Sequence, residues 1–225
     1  MTAILSRSLI FISFVFRISK HLDIYSLFFS QQISTTKFNR LRIINFTTMS
    51  NIPDLSKPST ASLKPVIFID EVAKEPIVAY SNESTTMQHV PLTGGFVKSL
   101  DPKGLPFDAV IEEGGDDITF KEGIPNVGHL DCNLYLRFKD DPKKRAYVNY
   151  SGIVHMDGAS GEIVGKKKST MTFEEGYVTC HPQFYMSKDC KEERWVDSKN
   201  FLGKGRFLRD DNGVLKVQYW LYALE

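Results

Sequence analysis

Cysteine is scarce in this chain of 225 residues: there are three, Cys132, Cys180 and Cys190, with no CxxC pair among them. Thiols so few and so spaced build neither a disulfide framework nor a thiolate zinc site, and they favour a reducing compartment. Charge of one sign is also lacking, because 28 Lys plus Arg stand against 27 Asp plus Glu, a formal charge of +1. Such a balance supplies no basic field for holding a nucleic acid. The apolar run Leu9 to Phe16 is eight residues long and ends at Arg17, far short of the roughly 20 residues of a membrane span. Phosphate loops are missing too, since Thr93-Gly94-Gly95 and Gly203-Lys204-Gly205 lack both the GxxxxGK(S/T) and the GxGxxG context. His129, Asp131, His155 and His181 are suitable metal ligands by type, but there is no HxH pair with a downstream Glu. Neither a metal nor a cofactor is expected. What is present is material for a packed core, 42% hydrophobic and 12% aromatic residues, which excludes a wholly disordered chain and suits one globular domain with an appendage.

The appendage reads from residues 1–48, which hold no Gly or Pro, six basic residues (Arg7, Arg17, Lys20, Lys37, Arg40, Arg42) and one acid, Asp23. The remaining 177 residues carry 22 basic and 26 acidic side chains, a formal charge of −4. A basic, acid-poor, Ser-containing leader has the composition of a mitochondrial presequence. A secretory signal fits less well, since no small-x-small cleavage pattern follows the short apolar run. The competing reading is a non-native upstream extension, with translation starting at Met49 and a cytoplasmic product. Residues 49–64, rich in Ser, Pro and Lys without apolar periodicity, read as a flexible lead-in. The folded domain is expected from 65 to 225.

Within that domain, short alternating or apolar runs are broken by Gly, Pro and Asp clusters, and few stretches keep a 3.6-residue period. The domain is therefore expected to be all-β. Strands are predicted at 66–72, 77–80, 87–97, 107–112, 117–120, 129–139, 146–156, 163–173, 177–183, 205–209 and 214–224, with part of 194–204. Their even spacing suits a sandwich or a closed barrel. Asp211-Asn212-Gly213 between the last two runs marks a C-terminal β-hairpin. The final strand is apolar or aromatic on both faces, as in a covered barrel wall. At most one short helix is expected, within Gln183 to Lys199, where Ser187 and Asp189 precede the charged run Lys191-Glu192-Glu193-Arg194.

The segment Gly128 to Phe138 alternates strictly. One face carries Leu130, Cys132, Leu134, Leu136 and Phe138, and the other His129, Asp131, Asn133, Tyr135 and Arg137. In a strand these polar side chains form a row about 7 Å apart, either a solvated outer face or the lining of a lumen or cleft. Gly114-Gly115-Asp116-Asp117 reads as a turn whose glycines let backbone approach a ligand closely. Paired acids are readily forced apart in pKa, which makes Asp116 and Asp131 candidates for general acid and base roles.

Taken in order, Pro91-Leu92-Thr93-Gly94-Gly95-Phe96, Gly114-Gly115-Asp116, Leu130-Asp131, Tyr150-Ser151-Gly152, Pro182-Gln183-Phe184 and Phe201-Leu202-Gly203-Lys204-Gly205 resemble one family. It is the uncharacterised calycin-like β-barrel family of bacteria and fungi, a domain of unknown function, and the resemblance runs from about Pro65 to the C-terminus. It implies an antiparallel barrel with an internal or mouth-located pocket, and some fungal members look like cofactor-free cyclases that add a hydroxyl across an activated alkene. The chain departs from that pattern at Asn133, where an Arg is usual, at Thr179, where a basic residue is usual, and at Trp195-Val196-Asp197.

Two functions follow as expectations, both with a small-molecule partner and neither with nucleic acid or membrane; a homo-oligomer is compatible with either. In the first, a cofactor-free enzyme of cyclase or isomerase type acts on an aromatic or polyketide-like metabolite. Asp131, His129 and Asp116 handle protons there, and Asn133, Tyr135, Arg137, Tyr150 and Trp195 hold the substrate. In the second, the same barrel is a non-catalytic carrier or sensor of a small apolar metabolite.

Overall fold

The structure, a computed structural model, describes residues 61–225. The expected leader and residues 49–60 of the lead-in lie outside the described residues. Nine strands follow in order: β1 (Leu63–Ala73), β2 (Ile77–Ser81), β3 (Thr85–Ser99), β4 (Asp108–Lys121), β5 (Ile124–Phe138), β6 (Arg145–His155), β7 (Val178–Met186), β8 (Phe201–Arg209) and β9 (Leu215–Leu224). All pairings are antiparallel. The sheet runs β1-β9-β8-β7-β6-β5-β4-β3-β2, and β1 also pairs with β3. That extra pairing closes eight strands into a ring without edges and leaves β2 outside it as a flap on β3. The ring is thinnest between β7 and β8, which share two residue pairs, Thr179 with Lys204 and Cys180 with Gly203.

Period-two alternation decides what fills the barrel. Ile67 and Ile69 on β1, Leu134 and Leu136 on β5, Val148 on β6 and Leu221 on β9 are all buried. Fully burying each such side chain contributes about 1.5–3 kcal/mol, so the strand face that carries them is the inner one. One end of the barrel is closed by aromatic packing: Phe107 lies on Phe138 and Phe184 with ring centroids 4.8 and 5.5 Å apart, and Phe201 on Phe184 at 5.4 Å. The opposite end is roofed by a short helix, α1 (Ala159–Val164).

Arg209 bolts that roof down. Its Nε donates to the carbonyl of Ile163 at 2.8 Å and its Nη2 to that of Val164 at 3.0 Å. Both Nη groups also reach the carboxylate of Glu75, at 2.8 and 3.2 Å, and Nη1 donates to the Gly213 carbonyl at 2.9 Å. The last carbonyls of a helix lack partners within it, and a cation there is favoured by the helix dipole.

Three local expectations are corrected. The runs 107–112 and 117–120 are one strand, and Gly114-Gly115 lies inside it rather than in a turn. Residues 163–173 form no strand; α1 and a loop stand there, because Gly158 (φ 64°) turns the chain across the barrel end and Ile163 is buried against it. The helix expected within Gln183 to Lys199 is a 3-10 helix, Glu192–Ser198. The C-terminal hairpin is as expected, but only Gly213 has a positive φ, 78°. Its turn closes through Gly213 N to Asp210 O at 2.8 Å, a tight turn followed by one left-handed residue.

Candidate functional site

A bulge in β4 aims the site. Ala109 and Ile111 are buried, and unbroken alternation from them would turn Asp117 inward. The register slips between Ile111 and Glu113, so that Gly114 faces Leu134, Asp116 faces Cys132 and Ile118 faces Leu130. One extra residue thus swaps the two neighbouring acids: Asp116 enters the lumen, while Asp117 stays outside and meets Nδ1 of His89 at 2.7 Å.

Asp116 does not enter alone. On β1, Glu71 continues the inward row of Ile67 and Ile69 and is 1% exposed. The Tyr150 hydroxyl donates to both its oxygens, at 3.0 and 3.1 Å. Tyr150 packs edge-on against Tyr219 with centroids 5.7 Å apart. Glycines make room for this layer: a Cβ at Gly203 would lie 2.2 Å from the Cys180 Sγ, and one at Gly205 would lie 2.5 Å from the Tyr219 ring. Asp116 is 8% exposed, and its Oδ1 has no hydrogen-bond partner among the described residues.

Burial sets the electrostatics of the pair. Removal from water pushes the Glu71 carboxyl up to about 8, the nearby Asp116 charge adds to this, and the Tyr150 hydrogen bond opposes it. Burial likewise pushes Asp116 up to about 7, against a backbone hydrogen bond from Asp131 and with the charges of Asp117 and Asp131. The thiols of Cys132 and Cys180 and the phenols of Tyr150 and Tyr219 are also pushed up by burial. They stay protonated at neutral pH, which leaves the two carboxyls as the groups in the lumen able to exchange protons there.

The two acids line an internal cavity of about 30 Å³. That is room for a water or for one small functional group. Its other polar lining groups are Gln88 and Tyr219, and among the described residues no Lys, Arg or His lines it. Gln88, Phe120, Met156 and Val164 also border a vestibule of about 480 Å³, between the β2–β3 turn, the β4–β5 turn and α1. These four side chains form the throat between open vestibule and acid pair. A vestibule of that size is within the range of small-molecule sites.

The expected site residues are divided by the barrel wall. Asp116 and Tyr150 are inside. His129, Asp131, Asn133, Tyr135 and Arg137 stand on the outer face of β5, because the five apolar residues alternating with them claim the lumen. The polar row is therefore not a lumen lining. Outside, the Asn149 Nδ2 donates to Asp131 and Asn133 at 3.3 and 3.1 Å, and Arg137 Nε donates to Glu112 at 2.6 Å. Tyr135, Tyr147 and Tyr185 form an exterior ladder with centroids 5.4 and 5.6 Å apart. Trp195 belongs to the closed end, where its Nε1 donates to the Pro106 carbonyl at 3.0 Å and its ring meets Phe201. Glu71 and Tyr219 are the lumen residues that sequence reasoning missed, although Glu71 breaks an otherwise apolar face of Ile67, Ile69 and Ala73.

Fold and site together define a closed, eight-stranded antiparallel barrel with a narrow, acid-bearing lumen opening into a vestibule at one end. Residues 61–224 match the family model described as "Protein of unknown function (DUF3237)". The chain belongs to that family. Among solved structures it is similar to a conserved protein of unknown function from Rhodopseudomonas palustris, with 17% identity, a TM-score of 0.58, and coverage of 75% of this chain and 100% of that one. A protein of unknown function from Clostridium acetobutylicum gives 16%, 0.56, and 75% and 100%. A β-barrel-like protein from Acinetobacter baumannii gives 18%, 0.52, and 76% and 100%. At these identities the likeness bears on the fold. No curated protein matches the chain in sequence.

Proposed function

We propose that this barrel binds a small metabolite through the vestibule and moves protons on it at the Glu71–Asp116 pair, without a cofactor. One observation carries the reading: two buried carboxyls share a cavity at the inner end of a ligand-sized vestibule, and an oxygen of one of them is unpartnered. Near neutral pH Asp116 is the group that ionises first, and it acts as base on the O–H or N–H group of the substrate that enters the cavity. Glu71, protonated and oriented by Tyr150, returns a proton to carbon. The result is redox-neutral, a cyclisation or isomerisation: the O–H or N–H bond and a C=C π bond break, a C–H bond and a new bond from carbon to the deprotonated O or N form, and solvent then carries the proton from Asp116 back to Glu71. The cavity admits only the reacting group, so an aromatic or polyketide-like body would rest in the vestibule against Phe120, Met156 and Val164.

The active state has Asp116 ionised and Glu71 protonated, which corresponds to a bell-shaped pH profile with limbs near 7 and 8 belonging to the pair. The test starts from a native mass spectrum of the protein purified from its own host, which identifies a retained metabolite and the mature N-terminus together. An N-terminus at Met49 or Ser50 is the outcome for a cytoplasmic protein; cleavage between residues 20 and 48 is that for a mitochondrial one. With the metabolite in hand, Asp116→Asn is expected to lower turnover at least 100-fold, and Asp131→Asn to leave it within about twofold. Equal loss in the two variants would return the chemistry to the outer face. Binding without turnover in the unsubstituted protein would make the barrel a carrier.

A further inference from the structure

We propose that the deep end of the lumen is an ammonium site: the ligand that enters it leads with a protonated amine, and anions are refused. The inference rests on the lumen being the ligand site and adds the chemistry of the group that reaches it. Buried carboxyls in proteins are ordinarily paired with a cation or a metal. Here two of them line one cavity, and among the described residues no cation lines it. The nearby Arg209 is spent on Glu75 and on the carbonyls of Ile163, Val164 and Gly213. Lys216, on the outer face of β9, is spent on Asp70 at 3.1 Å.

The polar groups lining this space are Glu71 from β1, Asp116 from β4, Tyr219 from β9 and the neutral Gln88 from β3; the further titratable groups close to the two acids are Tyr150 of β6, Cys132 of β5 and Cys180 of β7. None carries a positive charge in any protonation state. The Tyr150 hydroxyl already points its proton at Glu71, so the ionised site offers acceptors: Asp116 Oδ1, Glu71 and the Tyr219 oxygen. An ammonium group has three donors and no acceptor, which matches that set. It also supplies the missing counter-charge, whereas a carboxylate or phosphate would add a further negative charge in a desolvated space. The cavity of about 30 Å³ fits a head of that size, with any larger body left in the vestibule.

Such binding exchanges a proton for a cation. Asp116 ionises as the ammonium arrives and releases its proton to solvent, while Glu71 keeps its own, so affinity for an amine rises with pH up to the point where Asp116 is ionised. The probes are methylammonium chloride, methanol and sodium acetate, added to the full chain at constant ionic strength. The readout is the carboxyl carbon resonances of Asp116 and Glu71 in protein labelled at Asp and Glu. Methylammonium is expected to shift both resonances saturably, to bind about tenfold more tightly at pH 8 than at pH 6, and to lose at least tenfold in affinity in Asp116→Asn or Glu71→Gln. Acetate is expected to leave both resonances unmoved. If methanol moves them and methylammonium does not, the amine assignment is wrong while the lumen remains a ligand site. Should acetate bind as well as methylammonium, charge selection is refuted. Resonances that move with none of the three probes would overturn both this inference and the proposed function.

Discussion

Replacing Asp116 by Asn should stabilise the barrel in alkaline solution and give no such gain in acid. The cause is the gap between folded and unfolded acidities. In the unfolded chain the Asp116 carboxyl titrates near 3.8, and in the barrel near 7. Between these values the native state holds a proton that the unfolded state has released, so stability falls as pH rises through the window. Below it both states are protonated and the penalty vanishes; above it the penalty is complete. A shift of about three units corresponds to roughly 4 kcal/mol at full ionisation. Asn keeps the shape without the charge and relieves Glu71 of the neighbour that raises its own pKa. Against this stands the amide nitrogen placed in the cavity, about 1–3 kcal/mol if unsatisfied and less if a water meets it. The net expectation at pH 9 is a gain of about 1–4 kcal/mol, or roughly 2–16 °C in Tm for a domain of this size. At pH 4 the amide cost stands alone, so the change should lie between neutral and about 3 kcal/mol unfavourable. Urea unfolding of the two proteins from pH 4 to 9, with common baselines and m-values, measures it. Parallel pH profiles would refute the placement of an ionisable Asp116 in the lumen.

Further substitutions probe the supports of the site. Tyr150→Phe removes the hydroxyl that donates to Glu71, so the Glu71 carboxyl should titrate higher still, readable from its carbon resonance, with about 1–3 kcal/mol lost from stability. Gly203→Ala places a methyl 2.2 Å from Cys180 Sγ, and overpacking of that kind should destabilise by about 1–3 kcal/mol in chemical denaturation. Arg209→Met unbolts α1; amide exchange at Gly165 and Lys166 should accelerate at least tenfold while the amides of β5 and β6 keep their protection. Unchanged exchange there would show that the roof is held by its apolar contacts.

Much of the architecture was legible. Ten of the twelve strand runs fall on strands of the barrel, because period-two alternation against a single core leaves little freedom of face. Closure was legible only through the family resemblance, since alternation alone suits a sandwich as well. The division of the site followed from the same rule that located the strands: in Gly128 to Phe138 the chain holds five apolar side chains on one face, and whichever face they take becomes the core. The polar row then has to look outward. Asp116 was named, but from a supposed turn, and its inward aim depends on a bulge at Glu112 that no composition signal marks. Glu71 was visible in principle, as one acid in register with Ile67, Ile69 and Ala73. Its meaning emerged only when β1 was seen paired on both sides, which removed its access to solvent.

That double pairing also makes β1 the keystone of the ring. It stands between β3 and β9, so the first strand of the domain completes its pairing only when the last strand has been made. During synthesis the growing chain is therefore an open, curved sheet with two raw edges and its apolar face half covered, the form most exposed to pairing with other chains. In that state Glu71 faces water and is an ordinary carboxylate. Closing the ring strips its hydration, and at neutral pH the chain takes up a proton as it becomes native. Proton uptake, followed with an indicator dye in weakly buffered refolding, thus times the last act of folding, and the same act charges the site with the proton that Glu71 is proposed to deliver.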